Sequence, residues 1–200
     1  MTTAVLTERV LHRTKAVSIG LVVMAAALTA LAAQWRIDLP FTPVPITGQT
    51  LAVLLTGAAL GMRLGAAGQL LYVGIGVLGA PVFAGAWSEG WDIDRGIATI
   101  TGSTAGYLLG FIVAAGLIGY MAERRQDRTF ATMFTAFIVG SAVIYLFGVI
   151  GLMITVDMSL TEAIAAGVVP FVVGDVIKAA TAGVLLPGTW RLIGENPRRL

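Results

Sequence analysis

Apolar and small residues run through this 200-residue chain in long uninterrupted blocks, and charges and prolines mark where each block stops. Broken at those marks, the chain gives segments 16–34, 47–62, 64–83, 101–121, 130–156 and 170–193. A membrane span needs about 20 mostly apolar residues, so the pattern predicts six transmembrane helices. Runs such as GLVVMAAALTALAA lack the alternation that a transmembrane β-strand of about ten residues requires. The expected fold is an all-α membrane protein, with residues 1–200 as a single integral-membrane domain.

The connections carry their own signals. Between the first two segments, Pro40, Pro43 and Pro45 fix φ and keep the preceding residues extended. That stiff stretch either simply connects or sets Thr47 and Gln49 at the mouth of a cavity. The 84–100 loop holds Trp87, Ser88, Glu89, Trp91, Asp92, Asp94 and Arg95, and reads either as a solvated acidic loop or as a lid. In the Gly102–Tyr107 turn, helix capping would account for Ser103 or Thr104, whereas Tyr107, a phenol just inside a span, requires a partner. Ser159 and Glu162 form a capping-box pattern for a short helix ending near Gly167, and Pro170 suits the first turn of the last helix.

Small residues recur at helical spacing: Gly57, Gly61 and Gly65; Gly106 and Gly110; Ala26, Ala30 and Ala33. Helices approach closely at such positions, within one chain or between subunits.

Composition agrees with the pattern. The chain is 57% hydrophobic and 12% charged, with a mean hydropathy of +0.89, which no water-soluble domain of this size can accommodate on its surface. The net charge of +2 does not point to nucleic acid, because Arg9, Arg13, Lys15, Arg63, Arg124, Arg125, Arg128, Arg191, Arg198 and Arg199 fall on one predicted side and only Arg36 and Arg95 on the other. By the positive-inside rule both termini are cytoplasmic, and the chain belongs in the lipid bilayer of the cell membrane. Trp35, Trp87 and Trp91 fall at outer ends and Trp190 at an inner end, where interfacial indoles are expected. The first apolar block is too long for a signal-peptide core, so it is expected to stay in the mature protein. Absence of cysteine excludes disulfides, thiolate metal sites and cysteine nucleophiles, and the lone His12 leaves no basis for a histidine-centred catalytic or metal site. No cofactor and no metal are expected.

Against this background Asp175 and Lys178 stand out, three apart inside the last apolar segment. An ionised group at membrane depth costs at least a few kcal/mol, and such residues usually serve a pathway or a ligand. They share a helix face and could pair with each other, but a buried pair rarely outdoes apolar packing in stability. Their presence therefore favours a polar cavity, in which the carboxylate accepts N–H bonds and the ammonium meets an oxygen.

Four ordered stretches, Pro43–Leu51 (PVPITGQTL), Gly79–Phe83 (GAPVF), the Gly102–Tyr107 turn and Gly174–Ala179 (GDVIKA), resemble the signatures of the BioY family, the biotin-specific S components of energy-coupling-factor (ECF) transporters. The resemblance implies a six-helix subunit, not an enzyme, that captures biotin from outside. Its partners would be a membrane-embedded T component and two ATPase subunits. No G-x-x-x-x-G-K-[ST] loop occurs here, so those ATPases are other chains. Asp175, Lys178 and Tyr107 match family ligand contacts, and Thr104 and Gln49 complete the expected ligand-binding set. The family also implies T-component docking through small residues on the first helix, here Ala26, Ala30 and Ala33, with Val23 and Ala27 as a competing register. Leu108 stands where some relatives carry a ligand-binding Arg, a role Arg95 could fill. Two rival readings remain at this level. One is a solitary biotin carrier acting as a homo-oligomer without the ATPase module. The other is an intramembrane hydrolase built on Ser103, which has no histidine base in any span.

Overall fold

The charges and turn residues that bound the apolar blocks also bound the helices of the computed structural model, which describes residues 5–12 and 14–194. Arg13, Arg198 and Arg199, counted above for orientation, lie outside the described residues. A short α1 (Leu6–Val10) precedes α2 (Lys15–Ala33), whose N-terminus is capped by the Thr14 side chain accepting from the Val17 N–H. The chain continues through β1 (Arg36–Ile37), β2 (Ile46–Thr47), α3 (Gln49–Leu60), α4 (Met62–Val77), a 3₁₀ turn (Trp87–Glu89), α5 (Ile93–Thr101) and α6 (Ala105–Glu123). It ends with α7 (Phe130–Thr155), α8 (Leu160–Gly167) and α9 (Val169–Leu192). The two strands pair antiparallel, Arg36 opposite Thr47 and Ile37 opposite Ile46, and fold the proline-rich connection back on itself.

Among the described residues four helices, α2, α6, α7 and α9, are long and apolar enough to cross a bilayer. The second and third apolar blocks became something shorter. α3 has 12 residues and α4 has 16, separated only by Gly61 at φ 83, a left-handed conformation that glycine adopts without Cβ strain. The two run back to back as a hairpin against α6. An added Cβ on Gly57 would lie 2.6 Å from the Ala115 carbonyl oxygen, and one on Gly65 2.8 Å from the Gly57 Cα. These glycines, with Gly106 against Phe147 and Gly110 against Ile144 on α7, pack helices within the chain, the first of the two readings offered for them.

The block 64–83 ends as a helix at Val77, and the following segment turns over through Gly79. The expected helix 101–121 starts four residues later, because Gly102 separates it from α5. α5 itself lies in what the sequence suggested was a loop. The Asp92 side chain caps it by accepting from the Arg95 N–H. The Ser159–Glu162 capping box, α8 through Gly167 and Pro170 in the first turn of α9 follow the sequence reading. The Ser159 N–H and hydroxyl both donate to Glu162 Oε2, and these bonds hold the Glu162 carboxyl below its ordinary range.

The interior is filled by Tyr72, Leu54, Ile118, Met133, Phe137 and Ile144, all fully buried. Large apolar side chains such as Ile19, Leu109, Ile154 and Val173 point outward, which in water would be a liability and in hydrocarbon is not. Trp35, Trp87 and Trp91 are exposed, with the Trp91 indole N–H donating to the Leu78 carbonyl. Trp190 is not. It is fully buried, donates its indole N–H to Asp127 at 2.7 Å and lies beneath the Arg128 guanidinium. A neighbouring carboxylate, invisible from local sequence, satisfies its N–H inside the protein.

Candidate ligand-binding cavity

Helix α9 brings Asp175 and Lys178 to one face of its second and third turns, and α3 and α7 supply what those charges bond to. Asp175 Oδ1 accepts from Lys178 Nζ at 3.0 Å and from the Thr50 hydroxyl at 3.1 Å, and Oδ2 accepts from the Tyr145 hydroxyl at 2.7 Å. Lys178 Nζ also donates to the Thr47 carbonyl at 2.9 Å and to Thr50 Oγ1 at 2.6 Å. The pair is thus not closed on itself. Its side chains are 4% and 17% exposed, and each reaches across to α3 or the strand before it. Such cross-bonding offsets the desolvation that an isolated buried ion pair would suffer.

These groups border a cavity of about 380 Å³, within the range of small-molecule sites. Every expected ligand-binding residue lines it: Asp175, Lys178, Tyr107, Thr104 and Gln49. The Gln49 amide donates to the Tyr72 hydroxyl at 2.8 Å while its oxygen accepts from the Thr47 hydroxyl at 2.9 Å. Tyr107 has the partner that a buried phenol needs, donating to the Gly167 carbonyl at 2.7 Å. Phe83, Phe111, Ile144 and Phe171 supply apolar wall. The proline-rich connection forms part of the lining through Pro43, Val44 and Pro45, and it is held in place where Ser103 Oγ donates to the Pro43 carbonyl and Thr42 Oγ1 to the Ala166 carbonyl. Neither Ser103 nor Thr104 caps α6 with its side chain; Thr104 Oγ1 sits 3.4 Å from the Thr99 carbonyl.

From the 84–100 segment, Glu89 and Arg95 reach the lining, whereas Trp87, Ser88 and Trp91 do not. Two members of the polar network were not anticipated. Thr50 follows Gln49 inside one of the quoted motifs, and Tyr145 is the only phenol on the 26-residue apolar α7. A lone phenol in such a helix was the available signal. The stripe Ala26, Ala30 and Ala33 faces inward, at 2%, 8% and 0% exposure. Val23 and Ala27, the competing register, are exposed, along with Ile19, Met24, Leu28 and Leu31 of the same helix.

The chain that builds this cavity resembles known proteins along nearly its whole length. The family model described as "BioY family" matches residues 4–195. The chain belongs to the BioY family. A biotin transporter BioY from Rhizobium etli is 36% identical over 168 residues, 80% of this chain and 86% of that protein. A probable biotin transporter BioY from Pyrococcus horikoshii is 38% identical over 171 residues, 86% of this chain and 94% of that protein. In fold, the chain is similar to a crystal structure of the S component for biotin from an ECF-type ABC transporter, with TM-score 0.72 at 22% identity, covering 92% and 96% of the two chains. BioY membership and the four long apolar helices make this a multi-pass protein of the cell membrane.

Proposed function

We propose that this chain is the substrate-binding S component of an ECF-type biotin transporter. It takes biotin from the extracellular side and works with a T component and two ATPase subunits. In that arrangement α3 and α4 act as the second and third of six spans, and both termini are cytoplasmic. Twelve helical residues rise only about 18 Å, so α3 spans with its proline-rich entry as an extension rather than as a full-length helix.

The observation that carries the proposal is the half-open hydrogen-bonding set around Asp175 at the wall of a cavity of about 380 Å³. A ureido ring offers two N–H donors and one carbonyl oxygen, which complement a carboxylate and an ammonium held three residues apart. The bicyclic ring and the aliphatic tail suit the Phe83, Phe111 and Phe171 surfaces. Asp175, Lys178, Tyr107, Thr104 and Gln49 are the proposed ligand contacts, joined by Thr50 and Tyr145. No step requires covalent chemistry, so the chain acts as a binding subunit rather than an enzyme. For T-component docking, the exposed Val23/Ala27 register of α2 is better disposed than the inward-facing Ala26, Ala30 and Ala33.

The test is equilibrium binding of radiolabelled biotin to the purified chain in detergent. The wild type should bind saturably. Asp175→Asn should bind at least about a hundredfold more weakly, since truncating one member of a buried charge pair costs about 3–5 kcal/mol. Unchanged affinity in that variant would remove Asp175 from the site.

A further inference from the structure

Five charged residues line the cavity: Arg36, Glu89, Arg95, Asp175 and Lys178. Each has an internal partner, since Arg36 pairs with Asp38, Arg95 with Glu89 and Lys178 with Asp175. A ligand that brings a carboxylate therefore meets only cations that already hold one, and the pairs differ in how readily they exchange it.

Lys178–Asp175 is the most enclosed and shares bonds with Thr47, Thr50 and Tyr145; breaking it would strand a buried charge. Arg36 grips Asp38 through Nε to both carboxylate oxygens, at 2.8 and 2.9 Å, and through a second nitrogen at 2.8 Å, while its remaining arm donates to the Ala84 carbonyl. Arg95 meets Glu89 through one nitrogen and one oxygen only, at 2.7 Å, and its other terminal nitrogen bonds the Gly90 carbonyl. The Glu89 side chain is 55% exposed, and a single-contact pair of that exposure contributes little on its own. Its carboxylate also sits on a short turn flanked by glycines. The 3₁₀ turn Trp87–Glu89 lies between Gly85 and Gly90, both at positive φ, and nothing crowds Gly90 within 4 Å. Arg95, by contrast, is fixed in the first turn of α5 and is 23% exposed.

We infer that Arg95 is the carboxylate-recognising residue of the cavity and that Glu89 is the group it releases: binding exchanges the Arg95–Glu89 ion pair for an ion pair between Arg95 and the carboxylate of the ligand's tail. The inference rests on the biotin reading above and adds to it a specificity residue contributed by α5. Selectivity for a free acid over its neutral derivatives then resides at the solvent-facing end of the cavity, apart from the Asp175 network. Glu89 serves as an internal competitor that keeps Arg95 paired when the cavity holds no acid.

Binding of biotin and of biotinamide, which keeps the ring system and loses the tail charge, is measured on purified full-length chain. Wild type should prefer biotin. Arg95→Ala should weaken biotin by about tenfold or more, while biotinamide changes less than about twofold, so the preference collapses. Glu89→Gln should tighten biotin severalfold and leave biotinamide unaltered. Asp94→Asn, on the same helix but off the cavity lining, makes the same change in net charge as Glu89→Gln and should alter neither affinity. Equal losses for both ligands in Arg95→Ala would mean that Arg95 only positions α5, and would overturn the inference. So would unchanged or weaker biotin binding in Glu89→Gln. If wild type bound neither ligand, the biotin reading itself would fail, an outcome distinct from these.

Discussion

Asp175 is a carboxylate with three protein donors, two on one oxygen and one on the other. That distribution leaves Oδ2 with a single donor, the Tyr145 hydroxyl, and room for a ligand N–H. The phenol does more than fill space, because it bonds the carboxylate oxygen that Lys178 and Thr50 leave free. Tyr145→Phe should weaken biotin binding by about tenfold, as expected for loss of one hydrogen bond to a charged group, while the purified protein keeps its melting behaviour. A titration and a thermal melt of the same preparation check both halves. Tyr107 makes the opposite kind of bond, since its hydroxyl donates to the Gly167 carbonyl and ties α6 to the end of α8. Its hydroxyl serves the scaffold and its ring serves the wall. The sequence marked Asp175, Lys178 and Tyr107 because each is chemically out of place in an apolar block. It did not mark Thr50 as a partner of both charges, since a threonine in a membrane helix is ordinary and its significance comes from α9 arriving beside it.

Helices, turns and caps were legible to different degrees. Where a helix is delimited by local chemistry, as α8 is by Ser159 and Glu162, the ends could be read directly. Where it is delimited by geometry, they could not. Arg63 marked the break between the blocks at 47–62 and 64–83, but nothing near it announced that α3 would be only 12 residues long, and Gly61 is one of many glycines. Its role becomes visible only when α4 folds back and Gly57 meets both Gly65 and Ala115. α5 was missed because Asp92, Asp94 and Arg95 suggested solvent, yet those charges occupy one end of a strongly amphipathic helix that packs beside α4 and α6. The α3–α6 approach gives a test of this scale. Gly57→Leu places a side chain where backbone already stands, and should lower stability by about 1–3 kcal/mol or prevent folding. Gly20→Ala, on α2 with nothing within 4 Å, should be neutral or mildly stabilising. Thermal unfolding in one detergent, with both variants side by side, measures the contrast. Equal melting temperatures would show that the α3–α6 contact is not tight.

For the whole molecule, the division of labour follows from where polarity is placed. The outward-facing surface of the long helices is apolar, the core is closed by glycine-mediated contacts, and the charged pair Asp175 and Lys178 lies on one cavity reached by α3, α6, α7 and α9, apart from a second buried polar set of Thr29, Thr56 and Gln69. The sequence holds no nucleotide-binding phosphate loop, and under the proposed function the energy for concentrative uptake enters through the partner ATPases. Cells that produce this protein without any T component or ATPase subunits should bind biotin at their surface yet accumulate none above the external concentration. Concentrative uptake in such cells would favour the solitary carrier instead. The central claim, that the cavity beside Asp175 and Lys178 holds biotin, is tested most directly by a structure of the purified chain determined with biotin bound. The ureido ring should lie within hydrogen-bonding distance of the Asp175 carboxylate, with the tail directed toward Arg95. Biotin seated elsewhere, with the Asp175, Lys178, Thr50 and Tyr145 bonds left as they are here, would contradict it.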